Sequence, residues 1–393
     1  MADRQSTASQ PHICQVRRWT GTHTDIGVQV AAHLQRQARR GAAQIARWRA
    51  WRNDSDAVAR GQAIAAALAR IWPPLLDEMC AMAGALAIDP RGVLAEWAAP
   101  PVPRALRGEG RSCTVFWVPP RLSDSGRPLV GRNFDLRLAD PDRLLVYTVP
   151  AVGYAHCGMA GRAGRAEGIN SAGLVVGTTE AQVRPGVLHP AEGGAAHGER
   201  IGMRAAVATG AIPARLATRI ILERCATVAE AVELLGRLAQ WTHFNFLVAD
   251  ALGAAAVVEV GVQRTAVRWA GQDGSDWLVT TNHFVSPELA EEADFRWMTR
   301  QKYQATIEGL DKCARPLTPQ DAQRVLARPG VAQRHITLWS AAYEAGGPYW
   351  WFAPGRPDRN EYLTMEAPGH PQAGSGAATR VAVSAPVDLS VEV

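Results

Sequence analysis

The 393-residue chain has no run of about 18 consecutive apolar residues, so no segment reads as a membrane-spanning helix. Its first residues, Met1 to Gln10, are polar and lack the apolar centre of a secretory signal. Cysteine is sparse. The six, Cys14, Cys80, Cys113, Cys157, Cys225 and Cys313, lie far apart, with no CxxC pair and no Cys/His cluster at metal-ligand spacing. Neither a zinc site nor a disulfide framework is expected, and no metal or organic cofactor is implied. Lys and Arg exceed Asp and Glu by 42 to 37, a net charge of +5, and the excess is scattered rather than gathered in runs. That argues against a nucleic-acid partner. These absences predict a soluble, cytoplasmic protein without a membrane partner, long enough for one large core or two ordinary ones.

Against that background one cysteine stands out. In Ser112-Cys113-Thr114 it precedes a β-branched and aromatic run, Thr114 to Val118, which reads as a strand. Pro119 to Arg127 has turn chemistry, and Pro128 to Phe134 reads as the returning strand. The hairpin brings Arg132 and Asp135, in Gly131-Arg132-Asn133-Phe134-Asp135, back towards Cys113. A free thiol has a reference pKa of about 8.5 and yields little thiolate at neutral pH without help. Breaking the Ser112-Cys113 bond would give Cys113 its own base, an α-amino group that titrates near about 8. Arg132 would favour the thiolate, and Asp135 would hold the ammonium or a water. These residues alone leave a plainer reading open, with Cys113 a buried, inert thiol and Arg132 and Asp135 a surface ion pair.

The texture of the chain changes on either side of this point. From about Thr24 to Ala99 the apolar spacing is helical, as in Ile26, Val30 and Leu34, then Ile64, Leu68, Ile71 and Leu75. Pro100 to Gly110 (PPVPRALRGEG) reads as an exposed linker, a suitable place for a scissile bond just beyond it. After Cys113 come strands, then a helix pair, then strands again. Leu144–Val149 follows the first hairpin, and INSAG in Gly168 to Val176 reads as a turn between strands. Ile212 to Cys225 reads as a helix, and Thr227 to Glu230 is a capping box that starts the next. Phe244–Val248 and Ala255–Val260 form a hairpin through Asp250 to Gly253, followed by strands at Trp277–Thr281, His335–Tyr343 and Tyr349–Ala353. This order predicts a two-sheet sandwich with helices on both outer faces.

Cys113-Thr114, GRNFD, INSAGL, the helix pair IPARLATRIILERCATVAEAVELL, TTNHF and TLWSAAYEAGGPYWWFAPGRPDRNEY together resemble the acyl-coenzyme A:6-aminopenicillanic acid acyltransferase family of N-terminal nucleophile hydrolases. The resemblance runs from about Trp19 to about Tyr362. The family is similar to the choloylglycine (bile salt) hydrolases and penicillin V acylases, which normally lack a long propiece. Here 112 residues precede the cysteine, which favours the acyltransferase branch. The fold it implies is α+β, a four-layer αββα sandwich with a helical N-terminal propiece, residues 1–112, ahead of a catalytic domain, residues 113–393. By the same resemblance Cys113 matches the nucleophile, released by autocatalytic cleavage after Ser112, a small residue standing where fungal members carry Gly. Asp135 matches the Asp beside the α-amine, and Arg132 an Arg of the bile salt hydrolase relatives. Asn282, in TTNHF, matches the Asn whose amide helps form the oxyanion hole. A second donor is expected from the backbone of Gly177 to Glu180, which marks Thr178, Thr179 and Glu180 as substrate-binding candidates. Arg296 matches an Arg of a Ser/Arg-rich motif.

The implied activity is hydrolysis or formation of a linear amide through an S-acyl-enzyme on Cys113. The implied partners are a small-molecule amide or acyl-thioester, acyl-coenzyme A among them, and the cleaved N-terminal fragment. Plainer roles stand beside these. Asn282 is also a natural turn residue after a strand, and Arg296 with Arg300 is also a natural solvated helix face. His283 lies next to Asn282, but a nucleophile that carries its own amine does not need it, so a structural His is expected. Two other classes remain as alternatives: an uncleaved Cys/His hydrolase using His283 or His335, and a non-catalytic binding protein on the same fold.

Overall fold

The structure is a computed structural model that describes residues 14–97, 113–136, 144–161, 164–182, 211–238, 243–261, 264–272, 274–292, 297–333, 337–369 and 380–381. Before Cys113 lie β1 (Cys14–Gly21), α1 (His23–Arg36), α2 (Ala38–Trp51), α3 (Ser55–Ile71), α4 (Pro73–Ala85) and α5 (Pro90–Trp97). The helical spacing of Ile64, Leu68, Ile71 and Leu75 spans two of these helices, because Pro73 cannot continue α3 and instead opens α4. The strand β1 was not among the expected elements.

The chain then forms β2 (Thr114–Val118), β3 (Leu129–Asp135), β4 (Leu144–Pro150), β5 (His156–Gly161), β6 (Gly164–Arg165), β7 (Glu167–Asn170) and β8 (Val175–Glu180). The helix pair is α6 (Ala214–Arg224) and α7 (Val228–Arg237). Next come β9 (Phe244–Ala249), β10 (Ala255–Val260), β11 (Thr265–Trp269), β12 (Leu278–Thr280), α8 (Trp297–Asp311) and α9 (Pro319–Ala327). The last strands are β13 (Thr337–Glu344), β14 (Tyr349–Pro354), β15 (Leu363–Glu366) and β16 (Arg380–Val381).

Among the described residues the strands form two sheets. The first has the order β11-β10-β9-β8-β7-β5-β4-β1-β16, with β6 paired to β5, and the second β12-β2-β3-β13-β14-β15. Sheet membership does not follow chain order, since the first hairpin β2-β3 joins the late strands. Side chains show how the sheets stack. Along β2, Val115 and Trp117 pack with Leu145, Ile169, Val175 and Leu247 of the first sheet, whereas Phe116 and Val118 pack with Leu310, Val325 and Leu326 from α8 and α9. On the far side, Val176, Phe246 and Val258 meet Leu68, Leu75, Ile220 and Val228 from α3, α4, α6 and α7. The inner strands are thus covered on both faces, which is why β2 and β3 read as unbroken buried runs. The expected helix, sheet, sheet, helix layering is present, and helices from before Cys113 form part of one outer layer.

Two motifs of the sequence explain local joints. In INSAG, the Asn170 Oδ1 accepts from the backbone N–H of Ala172 and Leu174, while its Nδ2 donates to the carbonyls of Leu222 and Cys225, tying the turn to the end of α6. Thr227 and Glu230 make the reciprocal capping box of α7. Gly131 lies opposite Phe116, where a Cβ would sit 2.1 Å from the ring, so only glycine lets that ring cross β3.

Candidate active site

Cys113 immediately precedes β2 and is 6% exposed. The β2-β3 register pairs Thr114 with Asn133 and Val115 with Arg132, so Arg132 projects on the same face as Val115, between the sheets. Its Nη2 lies 4.0 Å from Cys113 Sγ, and the Sγ lies 3.7 Å from the Asp135 carbonyl oxygen. The hairpin therefore brings Cys113, Arg132 and Asp135 together as the sequence predicts. Gly177 in β8 keeps the facing sheet close at this point: a Cβ there would meet the Val115 methyls at 2.9 Å and Arg132 Cδ at 3.5 Å.

Arg132 is fully buried and its Nε donates to Glu167 Oε2 in β7. Burial alone would lower its pKa, but the Glu167 carboxylate and the nearby Cys113 sulfur hold it above the ordinary value. The other Glu167 oxygen accepts from Trp339 Nε1. The Trp339 ring stacks on Phe134 at 3.9 Å between centroids, and the Arg132 guanidinium lies 5.1 Å from the Phe134 centroid. Arg132 Nη1 is buried and has no hydrogen-bond partner among the described residues.

The Asp135 carboxylate faces the other way, towards α8. Lys302 Nζ donates to its Oδ2, and Thr337 Oγ1 lies 2.6 Å from its Oδ1. Burial pushes the Asp135 pKa up, and Lys302, Thr337 and Arg132 pull it back without cancelling the rise.

Asn282 lies two residues past β12. That strand pairs Leu278 with Trp117, Val279 with Phe116 and Thr280 with Val115, so the chain reaches Asn282 at the Cys113 end of β2. Its Nδ2 donates to the Glu180 carbonyl at 2.7 Å, which fixes which end of the amide is nitrogen. Its backbone N–H donates to Thr299 Oγ1 at 2.9 Å. Asn245 in β9 clamps the same loop, its Nδ2 reaching the carbonyls of Thr281 (2.9 Å) and His283 (3.1 Å) on either side of Asn282. Thr179 Oγ1 also donates to the Thr281 carbonyl.

Of the substrate-binding candidates, Thr179 projects between the sheets and Glu180 offers its carbonyl to Asn282. Thr178 projects towards the helices instead, in phase with Val176, and donates to the Ala166 carbonyl at 2.8 Å. Ser112, Arg296 and His335 lie outside the described residues. The His283 Nδ1 lies 3.0 Å from both Thr281 Oγ1 and Thr299 Oγ1, and burial lowers its pKa to about 4. It is a neutral, structurally engaged ring.

Glu167, Lys302, Thr337, Trp339 and Asn245 were not anticipated as parts of the site. Two carried a legible signal. Glu167 is in phase with Ile169 and Asn245 with Leu247, each a polar residue on the face that its strand buries between the sheets.

Two sheets packed face to face between helical layers form a four-layer αββα sandwich. A family model for acyl-coenzyme A:6-aminopenicillanic acid acyl-transferase matches residues 122–359, more than half of the chain, beginning shortly after Cys113. The chain belongs to this family and is an enzyme of amide hydrolysis or acyl transfer. No curated protein matches it. Among solved structures it is similar to the Caenorhabditis elegans ortholog of N-acylethanolamine-hydrolyzing acid amidase, at 17% identity over 65% of this chain and 100% of that one, TM-score 0.44. Penicillin V acylase from Agrobacterium tumefaciens matches at 15% identity over 68% and 90%, TM-score 0.39. A mutant of the conjugated bile acid hydrolase from Clostridium perfringens matches at 12% identity over 65% and 92%, TM-score 0.41. Among the described residues no helix is long and apolar enough to cross a membrane.

Proposed function

We propose that the protein is a self-processing cysteine amidohydrolase or acyltransferase that cleaves itself between Ser112 and Cys113 and works through an S-acyl-enzyme on Cys113. The observation that carries this reading is the convergence on Cys113 of Arg132 Nη2 at 4.0 Å and the Asp135 backbone at 3.7 Å, with Asn282 two residues past the strand that pairs with β2. Cleavage yields fragments 1–112 and 113–393. The free α-amine takes the Cys113 thiol proton, and the thiolate attacks the carbonyl of a small-molecule amide or acyl thioester. The second N–H of the Asn282 amide and a backbone N–H of the Gly177 to Glu180 strand hold the tetrahedral oxyanion. A single such donor stabilises the transition state by about 3 kcal/mol. The amine then returns its proton to the leaving group and deprotonates water, for hydrolysis, or an acceptor amine, for transfer. Acyl-coenzyme A is one acyl donor that fits this scheme, and a soluble cytoplasmic enzyme is the setting we assign.

The N-terminal fragment stays with the enzyme in this proposal. It supplies β1, parallel to β4 within the first sheet, and its α3 and α4 share a core with α6 and α7. The test is the intact mass of purified wild-type protein beside Cys113→Ala. Wild type is expected as two co-purifying species split after Ser112, and the variant as one unbroken chain. A single full-length wild-type mass removes the α-amine and with it this mechanism.

A further inference from the structure

One buried ion pair beside Cys113 has no part in the scheme above. Asp135 and Lys302 are each about 1% exposed and bonded to one another, and Lys302 sits on α8, 167 residues further along the chain. Only two of the 42 basic residues are lysines, Lys302 and Lys312, so a lysine ammonium at this position is a departure from the usage of the whole chain.

Among the described residues the charged groups nearest Cys113 form two pairs. From β3 come Arg132 and Asp135, from β7 Glu167 and from α8 Lys302; Arg132 pairs with Glu167 and Lys302 with Asp135. The other groups facing them are the Thr337 hydroxyl of β13 and the Tyr343 phenol of β13, which burial keeps far above its ordinary pKa and therefore neutral. Among the described residues these two pairs cancel, and the Arg215 guanidinium stands outside them, 5.9 Å from the Phe134 centroid.

We infer that Lys302 is the counter-charge of Asp135, a positioning residue that lets the α-amine released on Cys113 start as a free base. This rests on the self-processing reading. Without Lys302 the Asp135 carboxylate is an uncompensated buried anion, which is costly and draws a proton into the site. Left charged, the carboxylate raises the pKa of a neighbouring amine and of a neighbouring thiol alike. An amine held as the ammonium cannot accept the thiol proton. The same extra negative charge opposes formation of the thiolate. The uncompensated anion thereby shifts the ionisation of Cys113 to higher pH.

The test needs no substrate. The cleaved, two-fragment protein is treated with iodoacetamide across a pH series, and Cys113 alkylation is followed by peptide mass spectrometry to separate it from the other cysteines. Lys302→Met is expected to move the midpoint up by about one unit, making alkylation at neutral pH about tenfold slower. Lys302→Arg keeps the profile, and adding Asp135→Asn to Lys302→Met returns it towards wild type, because the anion is removed with its partner. Should Lys302→Met not fold, Lys302→Gln reads the same shift. An unmoved midpoint in the uncharged variant, or an equal shift in Lys302→Arg, overturns the role of Lys302 while the cleaved chain leaves the self-processing reading intact. A chain that is not cleaved has no α-amine and overturns both together.

Discussion

Two buried ionic clusters of similar make-up lie on opposite faces of the first sheet. The cluster at Cys113 draws Arg132, Asp135, Glu167 and Lys302 from after the nucleophile. The other lies under the helical layer and joins residues from both sides of it. Glu223 of α6 accepts from Trp72 Nε1 at 2.6 Å and from Arg219 Nε at 2.9 Å, and lies 3.1 Å from the rings of both His23 and His156. Arg219 also reaches Glu78 of α4. Burial would raise the Glu223 pKa, but Arg219 and the two histidines hold it well below the usual carboxylate range. The physics is shared, since a charge taken out of water must be paired and hydrogen-bonded. The difference is what sits among the charges. At Cys113 the pairs surround a thiol and leave Arg132 Nη1 unspent, whereas around Glu223 both carboxylate oxygens are occupied and three of the partners, His23, Trp72 and Glu78, belong to the segment before Cys113. One cluster is arranged for chemistry and the other for holding two parts of the chain together.

That contrast can be broken from either side. Arg219→Met removes the cation bonded to both Glu78 and Glu223 and leaves Arg165 facing two buried carboxylates, which is expected to cost about 3–5 kcal/mol of stability. Denaturant unfolding checks it, and loss of the N-terminal fragment on size-exclusion chromatography of the cleaved protein should accompany it. Asn282→Ala does the reverse. It should cost only about 1–3 kcal/mol of stability, for the lost bond to the Glu180 carbonyl, while lowering kcat for amide or thioester turnover about 10²–10³-fold, with a smaller change in KM.

The smallest effect is expected from acid. Burial lowers the His156 pKa to about 4, below the ordinary value of 6.5, so the ring is neutral in the folded protein. As pH falls from 6.5 towards 4, the unfolded chain takes up a proton that the folded chain does not, and stability falls by about 1.4 kcal/mol per unit across that window. Thermal unfolding over this range should show the slope, and His156→Gln should reduce it without moving the pH dependence of Cys113 alkylation. An unchanged slope would mean that the acid sensitivity belongs elsewhere, for instance to His283, whose pKa burial also lowers to about 4.

Local pattern made much of the frame legible. The runs Thr114–Val118 and Ala255–Val260 are buried on both faces and read as strands from composition alone. The turn at Asp250 was legible because the Asp side chain satisfies its own loop, its Oδ1 accepting from Leu252 and Ala254. The strand β1 was not, since CQVRRWTG mixes charge with apolar residues and is a strand only because β4 lies beside it in parallel register. Thr178 and Thr179 show the limit at single-residue scale. Both are in one strand, but the pleat sends Thr179 between the sheets and Thr178 towards the helices.

What the sequence determined by itself was the hairpin and its contents: a cysteine before β2 and an arginine and an aspartate returning on β3, close in space because they are close in the chain. Tertiary structure alone decided what those three meet. Arg132 finds Glu167 35 residues away, Asp135 finds Lys302 and Thr337 at separations of 167 and 202, and Glu223 joins His23 across 200. Periodicity reports which face of an element is buried, but not which distant face lies against it. That choice is made only when two sheets and two helical layers close over the same space, and there each buried charge must have its partner.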